Sequence, residues 1–125
     1  MPPVEVTSRA DLESRLRSLA KRSTARPLLA TLEMPDGGSS HIGLGRRESI
    51  LIVHGPPRPD GWTEEWISIG QEERTGETEF FLLGEHHSEF ENRSLLPVDD
   101  AIRAISELFE SGSRPTWIRW EANTF

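Results

Sequence analysis

Leu28-Leu29-Ala30-Thr31-Leu32-Glu33-Met34-Pro35-Asp36-Gly37-Gly38-Ser39-Ser40-His41-Ile42-Gly43-Leu44-Gly45 decides the fold. Leu28, Ala30, Leu32 and Met34 fall at every second position, the spacing that places side chains on one face of a strand. Pro35-Asp36-Gly37-Gly38 is turn chemistry, because proline fixes φ and glycine supplies φ > 0. A second strand follows over about His41 to Gly45. Two strands joined so tightly pair antiparallel, so the fold is built around a sheet.

Working outward, Arg46-Arg47-Glu48 turns the chain into Ser49-Ile50-Leu51-Ile52-Val53-His54. That run is apolar at both parities, which predicts a central strand covered on both faces. Gly55-Pro56-Pro57-Arg58-Pro59-Asp60-Gly61 has three prolines without donors and is a loop. Glu64 to Gly70 alternates, with Ile67 and Ile69 on one face and Trp66 and Ser68 on the other. Gln71 to Glu77 is a polar turn, and Thr78 to Gly84 a further strand. Residues 85–93 are polar, with no clear period.

Two helices flank the strands. Ser8 and Asp11 start the first, and Leu12, Leu16, Leu19 and Ala20 form its apolar stripe. Val98, Ala101, Ile102, Ile105, Leu108 and Phe109 form the second. Pro97, Asp99 and Asp100 suit its start and Gly112 its exit. Thr116 to Glu121 is a last short strand. The expected fold class is α+β: an antiparallel, meander-like sheet of about five to seven strands with an N-terminal and a C-terminal amphipathic helix packed on it. The 125 residues suit one domain.

The chain has no cysteine, which excludes thiolate chemistry and disulfides. No apolar run suits a membrane helix and no leader pattern opens the chain, so a cytoplasmic protein is expected. The net charge is −7, and its distribution is uneven. Residues 60–91 contain Asp60, Glu64, Glu65, Glu72, Glu73, Glu77, Glu79, Glu85, Glu89 and Glu91 against Arg74 alone. Such a stretch either solubilises the surface or docks a basic partner. Direct nucleic-acid binding is disfavoured, since it needs clustered Lys and Arg.

Catalytic signals are weak. His41, His54, His86 and His87 lack the spacing of a helical metal pair, so no metal site is expected. Gly43-Leu44-Gly45 lacks a third glycine and a following helix, and reads as strand glycines under close packing. There is no nucleophile elbow. The expectation is a protein without cofactor or enzymatic activity.

The C-terminal third, Ser94-Leu95-Leu96-Pro97-Val98-Asp99-Asp100-Ala101-Ile102-Arg103-Ala104-Ile105, continues through Leu108-Phe109-Glu110-Ser111-Gly112 to Arg114-Pro115-Thr116, Ile118, Trp120 and Glu121. It resembles the C-terminal signature of immunity protein family one, from bacterial polymorphic toxin systems. That signature is a Pro-led helix, an aromatic near its end, a Gly turn, Arg-Pro-Thr, and a strand ending in Trp. Ile42-Gly43-Leu44-Gly45 is similar to the family's glycine-bearing strand. Trp66-Ile67-Ser68-Ile69-Gly70 is similar to its aromatic-x-Ser-x-Gly strand, with Trp66 where Tyr is common.

The resemblance covers roughly residues 9–121. It implies a single immunity-protein-like domain that binds and neutralises a secreted toxin, often one with a nucleic-acid deaminase domain. It leaves Gly43, Gly45, Gly70, Pro97, Gly112, Pro115 and Trp120 as structural residues.

The expected mechanism is occlusion. An acidic patch covers the toxin's basic substrate surface, aromatics supply affinity and carboxylates supply steering. The expected contact set is Trp62, Glu64, Trp66, Glu72, Glu73, Glu85, Glu89 and Glu91. The chain is expected to be monomeric alone and to form a 1:1 heterodimer with the toxin. The alternative is an acidic nucleic-acid mimic that titrates a host DNA-binding protein.

Overall fold

A computed structural model describes residues 4–82 and 86–122. In chain order the elements are α1 (Arg9–Arg22), β1 (Leu28–Glu33), β2 (Ser39–Leu44), β3 (Glu48–Ser49), β4 (Leu51–His54), β5 (Glu65–Ile69), β6 (Glu77–Leu82), β7 (His86–Glu91), β8 (Leu96–Pro97), α2 (Val98–Ser111) and β9 (Arg119–Ala122). The Ser8 hydroxyl accepts the Asp11 N–H and caps α1. α2 follows Pro97 and ends at Gly112, whose φ of 77° is left-handed.

Among the described residues seven strands form one curled mixed sheet in the order β7-β6-β1-β2-β4-β5-β9. The β1–β2 hairpin runs in register from Leu28 opposite Leu44 to Glu33 opposite Ser39. β4, β5 and β9 continue antiparallel on the β2 side. The chain then departs from a simple meander. β6 crosses to the far side of β1 and pairs with it in parallel, Leu28 opposite Phe81. β7 closes that edge antiparallel to β6. β3 and β8 form a separate two-stranded ladder.

Both sheet faces carry apolar cores. Ile42, Leu44 and Leu51 pack against Leu12 and Leu16 of α1 and Ala101, Ile102 and Ile105 of α2. On the other face Leu29, Ile50, Ile52, Phe80 and Leu95 form a second cluster, with Ile67 and Phe90 at its margin. This explains the residues 50–53 run, which is apolar at both parities.

The second core is closed by the segment after β7. Gly70 and Gln71 N–H groups donate to the Arg93 carbonyl at 2.9 and 3.1 Å. The buried Ser68 hydroxyl accepts the Leu51 N–H at 3.2 Å and donates to the Ser94 carbonyl at 2.8 Å. Gly70 faces the Leu95 carbonyl so closely that a Cβ would occupy the oxygen's position.

Several boundaries differ from the sequence reading; β2, for example, spans Ser39–Leu44 where about His41 to Gly45 is expected. The strand expected at residues 49–54 is split at Ile50, which turns fully into the second core. Residues 86–91, without a clear period, form β7. The last strand starts at Arg119, because Thr116 and Trp117 form a turn and Ile118 is buried beside the helices. The strand expected through Gly84 is described as far as Leu82; Leu83, Gly84 and Glu85 lie outside the described residues.

Candidate binding surface

The β6–β7 hairpin sorts its side chains by parity. Phe80 and Phe90 turn into the second core. Their neighbours therefore face outward. Glu77 stands directly opposite Glu91, and Glu79 opposite Glu89. All four are exposed. The result is a carboxylate ladder two residues long and two strands wide.

Like charges directly opposed across strands are destabilising. The Glu77 carboxyl is accordingly raised above the usual carboxylate range, first by a hydrogen bond shared with Glu89 and then by the charges of Glu89 and Glu91. Among the described residues no lysine or arginine forms an ion pair with Glu77, Glu79 or Glu91.

Glu64 and Glu72 of the same acidic stretch are matched by arginines. Glu72 lies 2.7 Å from Arg119 and 3.5 Å from Arg93. Arg93 also pairs with Glu121 at 3.0 Å and holds that carboxyl below its usual range. Glu64 lies 2.6 Å from Arg58. Arg58 belongs to the same loop as Glu64, whereas the fold brings Arg93 and Arg119 to Glu72 from later segments.

The expected contact set is therefore divided. Glu89 and Glu91 lie on the ladder, while Glu64 and Glu72 are ion-paired. Glu73 is exposed on the turn after β5. Trp66 is half-buried, with the Arg114 guanidinium 3.9 Å from its ring centre. Trp62 stands on the β4–β5 loop, 52% exposed. Glu85 lies outside the described residues. Glu77 and Glu79, the other half of the ladder, were not singled out as contacts. Their i, i+2 spacing, repeated at Glu89 and Glu91, was the available signal once residues 86–91 are seen as a strand.

A second polar group crosses four strands on the face opposite the helices. The Thr31 hydroxyl and His41 Nδ1 are 2.9 Å apart. The His41 and His54 rings meet edge to face at 5.3 Å. His54 Nε2 lies 3.2 Å from a Glu65 carboxylate oxygen. His41 is held below its ordinary value, chiefly by burial and then by His54. This row can take up a proton, but the described residues contain no group of three His, Asp or Glu able to hold a metal ion.

The motif glycines, prolines and Trp120 set backbone geometry. Gly43 lies under the Phe80 ring, and the Trp120 indole N–H donates to the Pro115 carbonyl at 3.0 Å. Glu48 pairs with Pro97 in the small ladder ahead of α2.

Among the described residues the chain is thus a two-helix α+β domain that carries an exposed acidic ladder on its β6–β7 edge. The chain belongs to the Imm1 immunity protein family, whose model, described as immunity protein Imm1, matches residues 2–122. It is thus an immunity protein, and membership implies a cognate toxin as its partner and suggests an inhibitory role without catalysis. No curated protein matches the chain. Among the described residues no helix is long and apolar enough to cross a membrane.

Proposed function

We propose that this immunity protein neutralises its toxin by laying the Glu77, Glu79, Glu89 and Glu91 ladder over a basic, substrate-binding surface. The toxin class that best matches is one acting on nucleic acid, including deaminases. Such enzymes must present Lys and Arg to phosphates. An opposing carboxylate surface accelerates encounter and keeps substrate out.

The ladder carries this reading. Its four carboxylates face one another at a cost, and arginines from a partner would relieve it through charge-assisted hydrogen bonds. The Arg-paired Glu64 and Glu72 have less to gain. In the bound state the chain acts as a 1:1 cover in the cytoplasm.

The test is co-expression with the cognate toxin domain. Wild-type chain is expected to restore growth, and Glu79→Lys/Glu89→Lys to fail at equal abundance. Full protection by a folded ladder-reversed variant would exclude this mechanism. Recovery of a host DNA-binding protein, with the toxin left free, would favour nucleic-acid mimicry.

A further inference from the structure

The loop between β4 and β5 is unusually fixed for an exposed segment. It leaves the sheet at His54 and returns at Glu65, residues paired across the two strands and joined by the His54–Glu65 contact at 3.2 Å. Three of its residues are proline, with φ already set. Four of its backbone donors are satisfied locally. Gly55 N–H donates to the Glu64 carbonyl at 2.9 Å, Arg58 N–H to the Trp62 carbonyl at 2.9 Å, and Gly61 N–H to the Arg58 carbonyl at 2.8 Å. Trp62 N–H donates to the Asp60 carboxylate at 2.9 Å.

All of this order converges on one side chain. The Arg58 guanidinium lies 4.7 Å from the Trp62 ring centre and is held there by Glu64 at 2.6 Å. One side of the indole is thus backed, yet the residue remains 52% exposed. Among the described residues its ring N–H has no acceptor. Trp117, the other exposed tryptophan, differs: its indole N–H is already given to Glu107 at 2.6 Å. A rigid aromatic with one open side and a free donor is the form that binding anchors take, because little entropy is left to lose.

We infer that the Gly55–Glu64 loop is a preassembled anchor, and that Trp62 inserts into an apolar slot on the toxin with a hydrogen-bond acceptor at its base. This rests on the immunity reading and adds a second docking element to the ladder. The two divide the kinetics. The ladder governs association and salt dependence, whereas Trp62 governs dissociation.

The test uses full-length chain and the purified toxin domain. Trp62→Ala is expected to keep the melting temperature and to raise Kd at least ~30-fold, mainly through faster dissociation. The control Trp117→Ala is expected to stay within about 3-fold of wild type, below the hot-spot range. Oxidative footprinting of the wild-type complex keeps the proposal testable if the alanine variant is unstable, and Trp62 is expected to be protected there. Unchanged dissociation of a folded Trp62→Ala variant, or equal Trp62 oxidation free and bound, would overturn the anchor alone. Absence of any wild-type complex would overturn the immunity reading and the anchor with it.

Discussion

The Phe80 ring occupies the space into which any side chain at Gly43 would grow: a Cβ there would lie 2.6 Å from its Cε1 and 2.7 Å from its Cζ. Phe80 is on β6 and Gly43 on β2, with β1 between them. The ring reaches across this gap within the second core. Gly43→Ala is expected to overpack the site and cost about 1–3 kcal/mol. Phe80→Leu should relieve part of that cost in the double variant, giving a favourable coupling in a denaturation cycle. Gly70→Ala should not be rescued by trimming any side chain, because its obstacle is the Leu95 backbone carbonyl.

Two buried serines give opposite expectations. Ser68 bridges β4 and the Ser94 carbonyl, so Ser68→Ala strands a backbone donor and should cost about 1–3 kcal/mol in denaturant melts. The Ser40 hydroxyl is buried beside Leu51, Ala104 and Leu108 and has no hydrogen-bond partner among the described residues. Ser40→Ala removes a desolvated polar group and should leave stability unchanged or raise it.

The histidine row predicts a pH dependence of stability. His41 is below its ordinary value of 6.5 in the folded chain, so the unfolded chain takes up that proton first. Its contribution is intact above pH 6.5 and lost as pH falls through the folded value. The groups facing it are the Thr31 hydroxyl and the His54 ring; the Glu65 carboxylate lies behind His54. Melting temperature should fall between about pH 7.5 and 5.5, a window above the ordinary carboxylate range. His41→Gln should reduce that fall.

The acidic ladder predicts a surface substitution that stabilises. Glu77→Gln removes one carboxylate from a row of like charges. Its melting temperature should exceed wild type in low salt, and the gain should shrink as salt screens the wild-type repulsion. A lower melting temperature would mean that the carboxylates are satisfied by the fold itself.

Much of the fold is legible in the sequence because its causes are local. The turn at Pro35 to Gly38, the cap at Ser8, the helix exit at Gly112 and the alternation of Trp66 to Ile69 each act within a few residues. The parallel pairing of β6 with β1 is not local: it joins Leu28 to Phe81, far apart in the chain, and places Phe80 beside Leu29 in the second core. The same distinction applies to the surface. The excess of acid is visible by counting, but its neutralisation is not. Glu72 meets Arg119 and Arg93 only when β9 and the segment after β7 come beside β5. Glu77 and Glu79 become half of a ladder only when residues 86–91 pair with them.

In the proposed complex the ladder meets positive charge on the toxin. The most direct test is binding of the purified chain to the toxin domain at low and high salt, wild type against Glu79→Lys/Glu89→Lys. Reversing both members keeps a like-charged pair in the hairpin, so folding is altered as little as a reversal allows. The double reversal is expected to slow association by ~10-fold or more at low salt and to flatten the salt dependence. Equal affinity with an equal salt slope, in a variant that melts like wild type, would contradict this proposal.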